Sequence, residues 1–137
     1  MPGYSGTPLA KKLGIKEGFR VALLNMPSDV RSVLREALAP CRMIRELNGP
    51  LDFIHLFTKS RVELEREMKR AGKALAPAGM LWISWPKKSS GVATDLTEDI
   101  IRDTGLALGL VDVKVCAVTD VWSGLKFVIP LKSRPTN

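Results

Sequence analysis

Three short runs of this sequence are apolar at nearly every position. They cover residues 20–25, 53–57 and 80–85, and such runs are typical of strands that are covered on both faces, as in a parallel sheet. Residues 42–46 predict a further, short strand. Its connection to the next strand spans only residues 46–52, whereas a crossover between parallel strands takes roughly a dozen residues or more. We therefore expect this strand to be very short or not parallel.

Stretches with helical spacing separate the apolar runs. The first begins at Pro27-Ser28 and ends at Pro40, and its apolar stripe comprises Val30, Val33, Leu34, Ala37 and Leu38. The second covers about residues 61–75. Its buried stripe comprises Leu64, Met68, Ala71 and Leu75, and charged residues spaced three or four apart form the solvated face opposite.

A short helix is also predicted near the N-terminus. Thr7 is its expected N-cap, and Pro8 occupies the first helical position of the segment at residues 9–13. Gly14 then lies just past its end, where glycine is common. We expect this helix to pack as a lid or brace.

The last third of the chain predicts one more helix and a hairpin. Asp95 and Glu98 resemble a capping box, and Gly105 or Gly109 would end the helix that they begin. Apolar residues then alternate with polar ones from Val111 onwards, and residues 125–130 form a second strand. The expected hairpin turn comprises Trp122, Ser123 and Gly124.

Strands that alternate with helices and end in a hairpin predict the fold class. We expect an α/β three-layer sandwich with a mainly parallel sheet, an antiparallel C-terminal hairpin and the strand order 2-1-3-4-6-5. At 137 residues, 45% of them hydrophobic, the chain is expected to form one domain over residues 1–137.

The composition and the cysteine spacing indicate where the protein is expected to be located. No apolar run approaches the roughly 18 residues of a membrane helix, and the N-terminus lacks the apolar stretch of a secretory leader, so we expect a cytoplasmic protein with no membrane contact. Cys41 and Cys116 lie far apart with no CxxC spacing. Two reduced thiols are therefore expected, without a disulfide or a zinc site.

The chain carries 21 Lys and Arg against 14 Asp and Glu, a formal net charge of +7. The uncompensated cations are scattered along the sequence: Lys11, Lys12, Lys16 and Arg20, then Lys59, Lys87 and Lys88, then Lys126, Lys132 and Arg134. A scattered surplus is typical of solubility, and no helix-turn-helix, RNP or aromatic-basic pattern accompanies it. The sequence therefore disfavours nucleic-acid binding.

Polar residues follow the predicted parallel strands where a ligand crevice would form. Ligands of open α/β sheets bind beyond the carboxyl ends of the strands, near the switch in strand order. The predicted lining residues are Asn25, Ser28, Thr58, Lys59, Ser60, Trp85, Lys87, Lys88, Ser89 and Ser90. Lysines, hydroxyls and helix starts suit a phosphate-bearing or carboxylate small molecule, or a nucleotide. The alternative is that residues 87–91 form only a solvated loop.

No catalytic signature accompanies this crevice, and neither a catalytic residue nor a cofactor is predicted from the residues. His55 lies in an apolar strand and is expected to be a core histidine. Ser84 and Lys87 have S-x-x-K spacing but straddle a strand end rather than one helical turn. Asp95, Glu98 and Asp99 are explained by a helix start, where acids are favoured. Trp122 is expected either to cap the core or to mark a contact surface.

The order of these elements resembles the class I methyltransferase-like Rossmann fold over most of the chain. The segment ALAPAGMLWIS is similar to the turn before the fifth strand of that family, and LDFIHLF is similar to its fourth strand. The segments SGTPLAKKLGI, WPKKSSG and LVDVKVCAV, with WSGLKFV, resemble more specifically a small bacterial family of unknown function. The wider resemblance implies an S-adenosylmethionine site.

One departure from that family bears on its cofactor. Such methyltransferases cradle the cofactor with a glycine-rich turn after the first strand, because the backbone approaches the ligand closely. Residues 25–29 occupy that position here, and no glycine occurs between Gly18 and Gly49. Glu46 stands where an acid of the family holds the ribose.

Three functions follow from the sequence. We favour a non-catalytic domain that binds an anionic metabolite or nucleotide. The alternatives are a divergent S-adenosylmethionine-dependent methyltransferase and a module that contacts a protein or nucleic acid through the Trp122 region and the basic N-terminus. The sequence makes no prediction of the oligomeric state.

Overall fold

Six strands form one mixed sheet at the centre of the molecule. The computed structural model describes residues 8–135. The strands are β1 (Arg20–Leu24), β2 (Arg42–Met43), β3 (Leu51–Phe57), β4 (Leu75–Pro86), β5 (Val111–Ala117) and β6 (Trp122–Val128). Their order is β2-β1-β3-β4-β6-β5, with β1 to β4 parallel to one another and β6 antiparallel to both of its neighbours, β4 and β5. The predicted fold class and strand order are confirmed.

Helices cover both faces of the sheet. They are α1 (Leu9–Leu13), α2 (Ser28–Val33), α3 (Arg35–Leu38), α4 (Arg61–Ala74) and α5 (Glu98–Ala107). Helices α1 to α3 pack on the face that we call the α1 face, and α4 and α5 pack on the opposite α4 face. Side chains of β3 alternate between the faces, with Phe53, His55 and Phe57 on the α1 face and Ile54 and Leu56 on the α4 face.

Strand β2 is very short and parallel to β1. It pairs only with Arg20 and Val21, so residues 44–50 suffice to reach β3 without a crossover helix. Ile44 and Leu47 from this connection pack against the core of the α4 face. The predicted extension of the strand to residue 46 is wrong, because the chain leaves the sheet after Met43.

The helix predicted between Ser28 and Pro40 is divided at Leu34, whose backbone has φ −92° and ψ 0°. Val30, Leu34 and Leu38 are buried at a spacing of four. Val33, predicted to lie on the same stripe, is 64% exposed. Ala37 is half-buried, so the buried stripe is narrower than predicted.

The capping residues differ from those predicted. Thr97, not Asp95, caps α5, since its side chain accepts a hydrogen bond from the Ile100 amide. Gly105 lies inside this helix and Gly109 follows it with φ +84°. At the N-terminus, Thr7 lies outside the described residues, and Pro8 is the N-cap of α1 rather than its first residue.

The hairpin turn also lies earlier than predicted. Residues 118–121 connect the two strands, and Trp122, Ser123 and Gly124 belong to β6. A Cβ on Gly124 would lie 3.2 Å from the Trp82 ring. Glycine is therefore needed here because the indole packs closely against the strand, and not because the chain turns. Trp122 packs edge-on against Phe57, with ring centroids 5.1 Å apart.

Across residues 8–135, no helix has the length and apolar character needed to cross a bilayer.

Candidate ligand-binding site

The strand order reverses between β1 and β3, and this is where the fold opens a crevice. From β1 the chain proceeds to β2 on one side and returns to β3 on the other. The Asn25 side chain donates from Nδ2 to the Phe57 carbonyl at 3.2 Å and so joins the carboxyl ends of β1 and β3. Such a switch point is the usual ligand position in an open α/β sheet.

Asn25 has a left-handed backbone conformation, with φ +59°. Among residues with side chains, Asn and Asp adopt this conformation most readily. The turn after β1 therefore has a positive φ although it contains no glycine. Sequence reasoning missed this, although asparagine at the end of a buried strand is the available signal.

Residues after β3 are held by contacts within the chain. Buried Thr58 donates from Oγ1 to Glu63 Oε1 at 2.5 Å. Ser60 caps α4 by accepting from the Glu63 amide at 3.2 Å. Asp95 reaches the same helix start, where its Oδ1 accepts from the Arg61 amide at 2.8 Å. The start of α4 thus already carries a carboxylate, and Lys59 is left exposed beside it.

Residues after β4 form a short 3₁₀ turn, Lys88–Ser90. The Lys87 amide donates to the Val121 carbonyl at 2.7 Å, and Ser90 Oγ donates back to the Lys87 carbonyl at 2.6 Å. Lys88 and Ser89 are exposed. Trp85 packs in the core of the α4 face and is only 5% exposed.

The predicted lining residues are therefore brought together in part. The ends of β3 and β4 are adjacent, since the Thr58 amide donates to the Ser84 carbonyl at 3.0 Å. Asn25, Thr58, Lys59 and Ser60 are thus at one edge of the sheet with Lys87 and its loop. Ser28 instead lines a separate groove.

That groove, of about 470 Å³, lies between the α2–α3 segment and β2. It is lined by Ser28, Arg31, Ser32, Arg35, Leu38, Ala39, Cys41 and Met43. Sequence reasoning did not select its two arginines. Their spacing of four on the polar side of a predicted helix was the available signal.

A buried polar pair lies on the α1 face of the central strands. His55 Nε2 and Ser84 Oγ are 2.8 Å apart, and the imidazole stacks on Phe57 with centroids 4.3 Å apart. No hydrogen-bond partner reaches His55 Nδ1 among the described residues. Burial lowers the pKa of His55 to about 3, so the ring is neutral at neutral pH. It is a core histidine with no access to a ligand.

Acidic side chains near the start of α5 form ion pairs with a neighbouring arginine. Within residues 8–135, no three or more His, Cys, Asp or Glu side chains are placed to hold a metal ion. Glu98 and Asp99 instead pair with Arg102, which also reaches Asp112 at 3.0 Å. Burial raises the pKa of Cys41 and of Cys116 above the usual range, and both thiols are free.

The arrangement of strands and helices is similar to that of solved methyltransferases. A SAM-dependent methyltransferase from Aquifex aeolicus superposes with a TM-score of 0.58 at 17% identity, covering 89% of this chain and 88% of that chain. Magnesium protoporphyrin IX methyltransferase from Synechocystis superposes with a TM-score of 0.58 at 12% identity, covering 89% and 74%. A methyltransferase from Pyrococcus furiosus gives 0.55 at 13% identity, covering 92% and 84%.

No protein-family model matches the sequence, and no curated protein matches it either. The likeness to solved structures shows a methyltransferase-like Rossmann fold. At these identities the likeness establishes the fold alone. The finer resemblance to a small bacterial family stays a prediction.

The turn after β1 fits an S-adenosyl ligand, whereas the segment after β2 differs from the pattern expected for one. Asn25 has the positive φ that close approach of a ligand to the turn requires. However, β2 ends beside Val21, three residues before β1 ends at Leu24. Glu46 lies beyond β2 in the connection to β3, where it is exposed and its Oε2 is 3.4 Å from Asn48 Nδ2.

Proposed function

We propose that this chain is a divergent methyltransferase-type domain that binds an S-adenosyl ligand where β1 and β3 end. The observation that carries it is the left-handed conformation of Asn25 at the switch point. Asn adopts this conformation more readily than other residues with side chains, and a β-branched residue there would be strained. Here the hydrogen bond to Phe57 holds the turn in place.

Individual residues would have separate roles toward such a ligand. The backbone of residues 25–27 would contact its amino-acid portion, and the Lys59 ammonium would pair with its carboxylate. When bound, S-adenosylmethionine supplies an electrophilic methyl group. Buried His55 takes no part as a base, and the residues around the crevice would contribute orientation and proximity.

Substitution of Asn25 tests this function directly. Asn25→Gly loses the hydrogen bond to Phe57 but adopts the positive φ without strain, and is expected to retain most of the affinity for S-adenosylhomocysteine. Asn25→Val strains the turn, because β-branched residues rarely adopt positive φ, and is expected to weaken binding about tenfold or more. Titration calorimetry measures both, with circular dichroism to verify that each variant is folded. Equal affinity in both variants would contradict the role of the turn.

A second function is favoured by the lysines around the crevice. Lys59 and Lys88 are exposed and Lys87 is half-buried, and none of the three forms an ion pair within the described part of the chain. Free ammonium groups at the ends of two neighbouring strands suit an anionic metabolite or nucleotide.

The lysine pair after β4 provides the test of this second function. Replacing Lys87 and Lys88 by Ala is expected to reduce the rise in Tm that phosphate or a nucleotide produces. The matched control replaces Lys69 and Lys73, two exposed lysines of α4, and is expected to keep that rise. An unchanged Tm shift in the Lys87/Lys88 variant would exclude this site. Binding of S-adenosylhomocysteine without any phosphate effect would favour the first function.

A further inference from the structure

Lysines from the N-terminal segment and from the β5–β6 hairpin lie together on the α1 face of the hairpin. They are Lys12, Lys16, Lys114 and Lys126, and we call them the lysine cluster. Lys114 and Lys126 are directly opposite each other in the antiparallel register. Lys114 also donates from Nζ to the Lys12 carbonyl at 2.8 Å. The cluster thus joins the end of α1 to the hairpin.

A buried contact between α1 and β4 supports the cluster. Leu13 is fully buried, and the Trp82 indole donates from Nε1 to the Leu13 carbonyl at 2.9 Å. Trp82 lies in β4 and is the register partner of Lys126 in β6. The position of α1, and with it Lys12, is therefore fixed relative to the strands that carry Lys114 and Lys126.

This arrangement is electrostatically unfavourable in the free protein. Like charges directly opposite each other in an antiparallel pair destabilise a sheet. Lys126 is half-buried, and its pKa is lowered first by burial and then by Lys114 and Lys16. A fold that holds several ammonium groups together is expected to gain stability when an anion binds among them.

Carboxylates do not neutralise the cluster. No member forms an ion pair with Asp or Glu in residues 8–135. Asp112, which also belongs to β5, is bound by Arg102 toward α5, on the α4 face. Glu17 follows Lys16 in sequence but is exposed and pairs with none of the lysines.

We infer that the lysine cluster is a binding site for a phosphate-bearing ligand, separate from the crevice at the ends of β1 and β3. Each ammonium group offers three donors, and phosphate oxygens accept several charge-assisted hydrogen bonds at once. Partial burial of Lys126 strengthens these contacts relative to fully exposed lysines. Because Lys12 and Lys126 are half-buried, we expect a small polyphosphate rather than an extended polymer.

Sodium pyrophosphate is the probe for this site, titrated at constant ionic strength and followed by calorimetry and by Tm. Lys126→Met and Lys114→Met keep long side chains without the charge. Each is expected to weaken pyrophosphate binding about tenfold or more, the loss of one charged hydrogen bond. Without ligand, Lys126→Met is expected to have a Tm equal to or above that of the wild type, because like charges no longer face each other.

Two control variants separate this site from other lysines. Lys69→Met and Lys73→Met each remove an exposed lysine of α4 that belongs neither to the cluster nor to the crevice. Both are expected to bind pyrophosphate as the wild type does. Equal binding by the wild type, Lys126→Met and Lys114→Met would overturn the inference, as would an equal loss in Lys73→Met.

A single-stranded oligonucleotide in the same assay identifies the source of the phosphate. Weaker binding than pyrophosphate supports a small ligand. Tighter binding that is lost in both cluster variants would overturn the small-ligand assignment and give the same lysines a nucleic-acid partner.

Discussion

The free energy of unfolding is expected to fall by about 2 kcal/mol when the pH is lowered from 7 to 5, because His55 stays neutral in the folded protein. Burial lowers the pKa of His55 from 6.5 to about 3. In the unfolded chain the imidazole of His55 therefore binds a proton near pH 6.5, whereas in the folded chain it stays unprotonated at that pH. The contribution of His55 to the free energy of unfolding is fully present above pH 6.5. It is lost progressively as the pH falls toward 3, at about 1.4 kcal/mol per pH unit.

This pH window isolates one side chain. His55 is the only histidine of the chain, and carboxylates titrate mainly below pH 5. Urea unfolding followed by circular dichroism at pH 7, 6 and 5 measures the effect. A His55→Leu variant, which removes the titrating group, is expected to show almost no change over this range. The same decline in both proteins would contradict the assignment to His55.

Two glycine-to-alanine substitutions in helices are expected to have opposite effects. A Cβ on Gly105 in α5 would lie 2.2 Å from a Phe127 ring carbon. Phe127 is fully buried in β6, so the ring has little room to move, and Gly105→Ala is expected to destabilise by about 1–3 kcal/mol. At Gly72 in α4 the nearest atom to an added Cβ is Leu110 Cδ1 at 3.7 Å. Gly72→Ala is expected to stabilise by about 0.5–1 kcal/mol, the usual helical gain.

Chemical unfolding of both variants beside the wild type measures the difference. The comparison is matched, because the substitution and the secondary structure are the same and only the space differs. A stabilising Gly105→Ala would show that α5 does not pack on β6 as closely as described. A destabilising Gly72→Ala would contradict the ordinary contact distance at that position.

The strands and long helices were predictable because their signals are local. Residues 53–57 are apolar in an unbroken run, and the stripe from Leu64 to Ala71 has helical spacing. Both patterns depend only on near neighbours in sequence. The confirmed strand order followed from the alternation of strands and helices and from the final hairpin, together with the resemblance to a known fold.

Features that depend on distant partners were not predictable. Asp95 has the sequence context of an N-cap for α5, yet it accepts from the Arg61 amide of α4. Gly124 reads as a turn residue, yet it lies in a strand beneath the Trp82 ring. In each case a local pattern is compatible with two structures, and a tertiary contact selects one.

The lysine cluster also depends on contacts between residues that are distant in sequence, so it was not predictable. Lys12 and Lys114 are 102 residues apart in sequence and are joined by a hydrogen bond. Their meeting depends on the packing of α1 and on the register of the β5–β6 hairpin. A count of charges along the chain therefore gives scattered cations, whereas the fold gathers four of them on one face.

The most direct test of the proposed function is an amide NMR titration of the wild-type protein with S-adenosylhomocysteine. We predict saturable shifts at Asn25 and Met26 after β1 and at Thr58 and Lys59 after β3, with little change in the β5–β6 hairpin. An absence of shifts at millimolar ligand, or shifts confined to the hairpin, would contradict ligand binding at the ends of β1 and β3.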